Sequence, residues 1–473
     1  FMLAADLKKA LLHSLLGKYV LYIIQLVSMM VLARLIAPEI FGVVAAVSVI
    51  AMFFQMIGVS GLTPAIVYQE KVGASLRNSI FTFTILIGVA LAVLFTISAP
   101  YLHAWFGFTQ GLTLFYLLGI CSFFAALAIM PMSSLLKDSK FIRISQAEAL
   151  AELIGFGLCL FILWQWDHEL AALGGRFLAI PVFRFIFYYL FSKNTEIGRP
   201  AFGRDLKSVL PLYSYAKFQI MFNVVNYMSR NLDNLLIAKY FGAASLGIYE
   251  KTHQIMRYPL QLFTFTITPA LQPVLTKYKH DPDAVCGSFF KVATRLAAVG
   301  VFSSIVLYLC TEEVIYILFG ENWMEVAPLL KILALSIPVQ MVMSSTGGVF
   351  QAFGKVKEMF YCGLFSSVTT VAAICYGVYS ENLEILCLSI VVSFYINYVQ
   401  CMWMLRKSIF SNHLEGFLLV TFILIFAFAG LIIPDATDLP ENLLQGILQI
   451  IYVAGPAAVV TAAVLYGLMK ARR

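Results

Sequence analysis

Charged residues are scarce in this chain. Only 12% of its 473 residues are Asp, Glu, Lys or Arg, whereas 61% are hydrophobic, and the mean hydropathy is +0.88. This composition excludes a soluble globular protein, because a soluble core of this size needs far more polar surface to cover it. Apolar runs of about 20 residues, the length that crosses a bilayer as a helix, recur from end to end. The sequence therefore predicts an all-α polytopic membrane protein, since the short alternating strands of a β-barrel are lacking.

Paired cysteines are also lacking. The eight cysteines are isolated, none forms a CxxC pair, and most fall within apolar runs, where a lone cysteine behaves as a small hydrophobic residue. We expect neither a disulfide framework nor a metal site. No small-residue cleavage site follows a short apolar core near Phe1 and Met2, so we expect no removable signal peptide. The net charge of +7 is expected to reflect the topology of the loops and not nucleic-acid binding.

Long polar connections between the apolar runs are lacking as well. No connection between apolar runs much exceeds about 20 residues, which leaves no room for a soluble catalytic domain on either face. The sequence therefore predicts that the protein is not an enzyme. We expect no cofactor, and coupling to a proton or sodium gradient stays open.

Fourteen apolar runs are long enough to be transmembrane spans. Their predicted limits are residues 17–37, 42–67, 79–99, 112–135, 145–165, 170–191, 209–238, 246–273, 289–309, 326–352, 358–378, 384–405, 415–433 and 444–468. Residues 1–16 precede them as a predicted amphipathic helix at the membrane interface, with Lys8 and Lys9 on its polar side.

The distribution of cations orients these spans. Most of the 32 Lys and Arg residues fall in alternate connections, which the positive-inside rule assigns to the cytoplasm. The opposite connections carry only Arg34 and Lys239, and they include acidic segments such as WDHE and PDATDLPEN. The pattern predicts that both termini are cytoplasmic.

One motif occurs twice in the chain. Residues 32–42 are LARLIAPEIFG and residues 237–247 are IAKYFGAASLG, and in each a cation precedes a glycine by eight residues. Such short motifs can match by chance, but they lie at matching junctions, between spans one and two and between spans seven and eight. We therefore predict two six-span lobes related by a parallel repeat, as in many secondary transporters. The predicted segments are the lobes 17–191 and 209–405, the cytoplasmic linker 192–208 and two extra spans within 406–473.

Polar residues spaced for a single helix face occur in spans seven and eight, and more weakly in spans one and two. The residues predicted to line these faces are Asn223, Asn226, Arg230, Asp233, Gln254, Arg257, Gln261, Gln25 and Gln55. A charge at the bilayer centre costs about 2.5–3.5 kcal/mol, so we expect these faces to line a wet cavity. A surplus of arginine suits an anion, because arginine binds phosphate with two hydrogen bonds. Asn and Gln suit sugar hydroxyls.

Other charges within the spans leave two interpretations open. Arg230 and Asp233 are three residues apart and could neutralise each other. Arg176, Arg184 and Lys331 fit cavity lining and structural pairing equally well.

A pair of carboxylates in span five is a candidate for ion coupling. Glu148 and Glu152 are four residues apart and could bind a proton or a sodium ion. They could equally pair with Arg176 or Arg143.

Three stretches resemble one family of transporters. They are LARLIAPEIFG, GLTPAIVYQE after span two, and SRNLDNLLIAKYFGAASLGIYEKTHQIMRYPLQ across spans seven and eight. They are similar to the Wzx-type polysaccharide flippases of the multidrug/oligosaccharidyl-lipid/polysaccharide superfamily, and most of all to colanic and teichuronic acid exporters. The resemblance covers the whole chain at the level of topology. It implies a V-shaped, two-lobed core of twelve helices in the bacterial inner membrane, with spans one, two, seven and eight lining the cavity.

The resemblance also implies a function. Such proteins move undecaprenyl-diphosphate-linked oligosaccharides from the cytoplasmic to the periplasmic leaflet by alternating access, for lipopolysaccharide or exopolysaccharide assembly. It transfers a cavity role to Arg34, Arg230, Asp233, Lys239 and Arg257. The expected partners are the lipid-linked oligosaccharide, membrane lipids and polysaccharide polymerase or assembly proteins, and not nucleic acid.

Three other functions stay open. A cation-coupled multidrug exporter of the same superfamily would show acidic residues in a hydrophobic cavity, whereas cations outnumber acids around the polar faces. A membrane polysaccharide polymerase or ligase needs a sizeable outer loop or an acid–base pair at the membrane face. The outer connections offer mainly His168 beside Asp167 and Glu169, which we interpret as a solvated loop. An assembly scaffold is the third alternative.

Overall fold

Helices account for the regular elements in the described part of the computed structural model. The backbone is described for residues 2–59, 62–69, 71–210, 224, 227–228, 230–277, 282–410, 414–425 and 443–470. For residues 2–16, 54–55, 57–59, 68, 118, 263–274, 276–277, 282–284, 443 and 459–470 this covers the backbone alone. The predicted all-α fold class is confirmed.

The chain divides into two compact units, Phe1–Gly247 and Ile248–Arg473. The first unit contains α1 (Met2–Leu35), α2 (Pro38–Val59), α3 (Leu62–Tyr68), α4 (Ala74–Phe106), α5 (Leu112–Leu127), α6 (Ile129–Lys137), α7 (Phe141–Trp166), α8 (Glu169–Phe191) and α9 (residues 230–240). Helix α1 is continuous, so residues 2–16 and the first span share one helix, and the interfacial location of the segment 1–16 stays a prediction. The predicted lobe limits also stay predictions, because compactness alone does not define a repeat.

Helix α10 (Gly242–Lys277) begins in the first unit and continues into the second. The other helices of the second unit are α11 (Pro282–Leu309), α12 (Thr311–Leu318), α13 (Val326–Ala334), α14 (Ile337–Ala352), α15 (Val356–Tyr379), α16 (Leu383–Ser408), α17 (Leu414–Ile425) and α18 (Leu443–Lys470).

Eight helical segments of the described chain, one of which combines α5 and α6, are long and apolar enough to cross a membrane. The pair α13 and α14 is bent by 51° and makes a ninth if it forms one span. The count of fourteen stays a prediction, because runs such as 209–238 and 415–433 fall partly outside the described ranges.

The helix ends follow from local sequence. Helix α4 stops at Gly107, which adopts φ 72° and donates its N–H to the carbonyl of His103, a left-handed cap that glycine adopts without strain. Asn382 caps the start of helix α16. Its side-chain oxygen accepts from the amides of Glu384 and Ile385 at 2.8 and 3.1 Å. Such a cap satisfies amide groups that have no partner within the helix.

Aromatic packing holds the core of the second unit. The rings of Phe290 and Phe417 lie 4.8 Å apart edge to face, and those of Phe289 and Phe410 stack at 5.7 Å. These four side chains are buried and join the helices α11 and α17 with the segment that follows α16. All the cysteines except Cys375 are buried as well, as expected of small hydrophobic residues.

The predicted linker, residues 192–208, is bound to the start of α4 within the first unit. The amide of Ala201 donates to the side-chain oxygen of Asn78 at 3.0 Å, and that of Gly203 donates to Thr82 Oγ1 at 2.8 Å. Arg77 donates to the carbonyl of Ile197 at 2.6 Å. The side chains of Ile197 and Val209 are buried in the hydrophobic core of this unit. The linker, which we call the strap, therefore lies along the start of α4.

Close helix packing at glycine gives a stability test. A Cβ atom on Gly300 of α11 would lie 2.6 Å from the Cα atom of Pro338, whereas one on Gly363 of α15 meets nothing within 4 Å. We expect Gly300→Ala to lower the free energy of unfolding by about 1–3 kcal/mol, the cost of overpacking a core. Gly363→Ala, the matched control, should be neutral or stabilising, because alanine favours a helix by about 1 kcal/mol over glycine. Thermal unfolding in detergent measures both, and equal effects would contradict the packing at Gly300.

Candidate functional site

The two glycine-marked junctions meet in the first unit. A Cβ atom built on Gly42 would overlap the carbonyl of Ala243, and one built on Gly247 would overlap the carbonyl of Pro38. The same Cβ positions lie 2.9 and 3.1 Å from the amide nitrogens of Gly247 and Gly42, respectively. Only glycine permits such an approach of main chain to main chain. The repeated motif therefore marks the point where the starts of α2 and α10 cross.

Each junction is also bound to the end of another helix. The amide of Ala37, in the turn between α1 and α2, donates to Glu169 Oε2 at 2.9 Å. The ammonium group of Lys239 donates to the carbonyl of Trp105 and lies 5.3 Å from the centroid of its indole ring. Glu169 begins α8 and Trp105 is near the end of α4, so the contacts join segments that are far apart in sequence.

The sequence missed the role of Glu169. We interpreted Asp167, His168 and Glu169 as a solvated loop, but the ring of His168 accepts from the amide of Ala171 at 3.3 Å and caps α8. An acidic residue in the first turn of a helix is ordinary. The sequence around Glu169 thus gave no signal of its bond to the distant residue Ala37.

The carboxylates of span five have different partners. Glu152 is buried and forms a salt bridge with Arg176, whereas Glu148 accepts from the hydroxyl of Tyr188 at 3.0 Å. Arg143, the alternative partner, donates to Gln146 at 3.1 Å. Of the two interpretations for Arg176, structural pairing is therefore the one that the geometry supports.

The structure shows the surroundings of two further cations in the predicted spans. Lys331 lies 3.6 Å from Glu312 in a salt bridge near the start of α12, which also favours structural pairing. The Nε atom of Arg184 is buried and finds no acceptor among the described residues.

The polar face of span seven is described only in part. Arg230 is exposed, and Asp233 Oδ1 accepts from the amide of Asn234 at 2.9 Å. Within the described part of the chain Arg230 forms no ion pair, so its neutralisation by Asp233 is not supported. Asn223 and Asn226 lie outside the described residues.

The polar face of span eight is on α10. Arg257 is exposed, Gln261 is half-buried, and Gln254 accepts from Lys251 at 3.3 Å. One turn before Arg257, the buried His253 lies against Tyr249, with ring centroids 4.4 Å apart. Arg257, like Arg230, makes no ion pair with a residue that the structure describes.

The remaining candidates lie on the first two helices. Gln25 is half-buried on α1 and Arg34 is exposed at the end of the same helix. The side chain of Gln55 lies outside the described set. In the described ranges, no group of three or more His, Cys, Asp or Glu side chains could hold a metal ion.

The family of this chain follows from comparison with known proteins. The model of the family described as "Polysaccharide biosynthesis protein" matches residues 31–328, which is more than half of the chain. The match includes both glycine-marked junctions and both arginines of the polar faces.

Proteins of known name are similar to this chain. The teichuronic acid biosynthesis protein TuaB of Bacillus subtilis is 25% identical over 310 residues, which cover 66% of this chain and 64% of TuaB. The lipopolysaccharide biosynthesis protein WzxC of Escherichia coli is 22% identical over 357 residues, which cover 74% of this chain and 71% of WzxC. The match thus spans somewhat less than two thirds of TuaB.

A solved structure shows the same fold. The lipid II flippase MurJ, in an inward closed conformation, superimposes with a TM-score of 0.76 at 14% identity, covering 96% of this chain and 99% of MurJ. At this identity the likeness concerns the fold alone. The family match decides membership: this chain belongs to the polysaccharide biosynthesis family, in agreement with the Wzx-type resemblance of its sequence.

Proposed function

We propose that this protein is a flippase for undecaprenyl-diphosphate-linked oligosaccharide repeat units. It moves them from the cytoplasmic to the periplasmic leaflet of the bacterial inner membrane by alternating access through a cationic cavity. Both termini face the cytoplasm, and the delivered units serve lipopolysaccharide or exopolysaccharide assembly, where a polysaccharide polymerase receives them.

One observation carries the proposal: the two exposed arginines of the predicted polar faces form no ion pair with a carboxylate that the structure describes. Arg176 and Lys331 form salt bridges, but Arg230 and Arg257 form none with the described residues. An unpaired arginine within a membrane is costly unless water or an anion meets it. Two such side chains on polar helix faces therefore fit an anionic substrate.

The chemistry of the substrate matches these groups. A guanidinium group stays charged at any physiological pH and binds phosphate oxygens through two parallel hydrogen bonds, so an exposed arginine of this kind suits a diphosphate. Gln254 and Gln261 offer amides that can both donate to and accept from sugar hydroxyls. The polyprenyl chain is apolar and can stay among lipid tails during transfer.

The relatives support the same substrate class. TuaB is described as a protein of teichuronic acid biosynthesis and WzxC as one of lipopolysaccharide biosynthesis. MurJ, whose fold this chain shares, is described as a lipid II flippase. Each description involves a glycan or a lipid-linked precursor of one.

Replacing either arginine tests the proposal. We expect Arg230→Gln and Arg257→Gln each to lower the rate of flipping about ten- to a hundred-fold, because a hydrogen bond to a charged group contributes about 1.5–3 kcal/mol. The measurement uses proteoliposomes loaded with lipid-linked oligosaccharide and a membrane-impermeant sugar-oxidising label. Arg295→Gln is the matched control, since Arg295 is also an exposed arginine of the second unit but lies outside the polar faces.

Normal flipping by both variants would overturn the anion site. In host cells depleted of the protein, lipid-linked units protected in the inner leaflet are the expected result. Units that reach the outer leaflet but stay unpolymerised would favour a polymerase or a scaffold. Unchanged glycan lipids, together with transport of cationic dyes by the proteoliposomes, would favour a multidrug exporter.

Ion coupling is the second part of the proposal. Arg176 already neutralises Glu152, whereas Glu148 is bonded to the neutral hydroxyl of Tyr188. Glu148 is therefore the carboxylate that we assign to the binding of a coupling proton or sodium ion, and Glu152 is assigned a structural role.

Replacing each carboxylate by an amide separates these roles. We expect Glu148→Gln to fold normally and to flip substrate at a rate that no longer responds to an imposed proton or sodium gradient. Glu152→Gln should instead lose about 3–5 kcal/mol of stability, because one charge of a buried pair then has no partner. The double variant Glu152→Gln/Arg176→Met should recover part of that loss in thermal unfolding. A gradient response that survives in Glu148→Gln would contradict the assignment.

A further inference from the structure

The helices α15 and α16 form an antiparallel hairpin in the second unit. Only residues 380–382 separate them, and each helix is long and apolar enough to cross a membrane. Hydrogen bonds fix their register, because the hydroxyls of Thr370 and Ser393 lie 3.1 Å apart and Gln400 donates to the sulfur of Cys362 at 3.5 Å. The first residues of α15 and the last residues of α16 therefore lie at the same end of the hairpin.

Four cations lie together at this end of the hairpin. Counting outward from the bonded pairs, with the same rise per residue along both helices, places Lys357 level with Arg406 and Lys407. Lys355 immediately precedes α15 and forms the one ion pair found here among the described residues, with Glu358 at 3.5 Å. The other three cations are exposed. This end thus keeps a surplus of positive charge, on the side that the charge pattern predicts to be cytoplasmic.

Two of these lysines lie over aromatic rings. The ammonium group of Lys357 is 5.9 Å from the ring centroid of Tyr361, and that of Lys407 is 5.0 Å from the ring centroid of Trp403. Each ring is exposed and lies four residues deeper in its helix than its lysine. Tyrosine and tryptophan prefer the headgroup level of a bilayer. These cation–π contacts therefore hold both ammonium groups beside the lipid phosphates.

An apolar stripe continues from these groups along α15. Its members are exposed and recur at every fourth position, namely Val356, Phe360, Leu364 and Val368. Residues at this spacing share one face of a helix. An acyl chain can lie along such a face, whereas an acidic segment of a soluble protein gains little from it. Apolar contact beneath cationic contact matches the order of chemical groups in an anionic phospholipid.

We propose that the cytoplasmic end of the α15–α16 hairpin binds an anionic phospholipid of the cytoplasmic leaflet. The lipid phosphate contacts Lys357 and Lys407, and an acyl chain lies along the apolar stripe of α15. A lipid with a choline group carries a positive charge of its own, which the lysines repel. The bound lipid is a component of the bilayer and not the transported substrate, so the site is independent of the proposed flippase function.

Quenching of Trp403 fluorescence by brominated lipids tests the site. Replacing Trp105, Trp164 and Trp166 by phenylalanine leaves Trp403 and the fully buried Trp323. The protein is reconstituted into phosphatidylcholine that contains dibrominated phosphatidylglycerol or dibrominated phosphatidylcholine. We expect phosphatidylglycerol to bind beside Trp403 about five-fold more tightly than phosphatidylcholine, the gain that one basic residue provides near anionic lipid.

A tryptophan on the other side of the membrane is the control for location. Trp166 is exposed at the end of α7, beside Asp167, on the side predicted to be periplasmic. The variant that keeps Trp166 and replaces Trp403 by phenylalanine should show no preference for phosphatidylglycerol. The same preference at both tryptophans would be a general affinity for this lipid and would contradict the site.

Two double substitutions of equal charge test the lysines. Lys357→Gln/Lys407→Gln should lower the preference beside Trp403 to about one. Lys291→Gln/Arg295→Gln removes the same charge from exposed positions of α11 and should leave the preference unchanged. Fluorescence with and without brominated lipid is compared within each variant, so any direct effect of Lys407→Gln on the emission of Trp403 cancels.

Equal quenching by the two lipids at Trp403 would overturn the lipid site and would favour an acidic protein segment as the partner of these cations. A preference that survives in Lys357→Gln/Lys407→Gln, or an equal loss in Lys291→Gln/Arg295→Gln, would also overturn it. If the tryptophan variants do not fold, native mass spectrometry compares the phosphatidylglycerol that the wild-type protein and Lys357→Gln/Lys407→Gln retain. We expect less in the variant, and equal retention would contradict the proposal.

Discussion

The cost of placing charge away from water is the constraint on which this structure depends. The chain is so apolar that each charge within its helices needs a specific partner. The structure provides three kinds. Arg176 and Lys331 have carboxylates, Arg77 has a backbone carbonyl, and Arg230 and Arg257 are exposed. The last kind leaves charge available to an anion, and the proposed function is based on it.

The same constraint shapes the strap at residues 192–208. Arg199 donates to the carbonyl of Tyr189 at 3.2 Å, and Lys140 donates to the carbonyl of Asn194. The backbone carbonyl of Tyr189 satisfies part of the hydrogen-bonding capacity of Arg199 without cancelling its charge, whereas Lys140 also forms a salt bridge with Asp138 at 3.4 Å. The strap is therefore held tightly while the surface keeps the positive charge that is expected on a cytoplasmic face.

Close approach at glycine is the second means by which the helices are held. Packing between helices in lipid depends on shape and on small residues that let backbones meet. Gly300 meets Pro338 in the second unit, and Gly42 meets Ala243 in the first. Buried residues flank both contacts: Val339 at the first, and Val43 and Leu246 at the second. Glycine thus permits close helix packing in both units.

The sequence by itself determined the fold class and the family, because apolar length and the junction motifs are local properties of the chain. For Glu152 the sequence left Arg176 and Arg143 as equally good partners. It gave no reason to connect Glu169 with Ala37 or Lys239 with Trp105. Only the tertiary structure decided these pairings. A salt bridge or a hydrogen bond between distant residues depends on how helices pack and rotate, and sequence spacing defines neighbours only along one helix. The repeated glycines show both sides of this limit: their equal spacing predicts a repeat, and only packing shows that they meet.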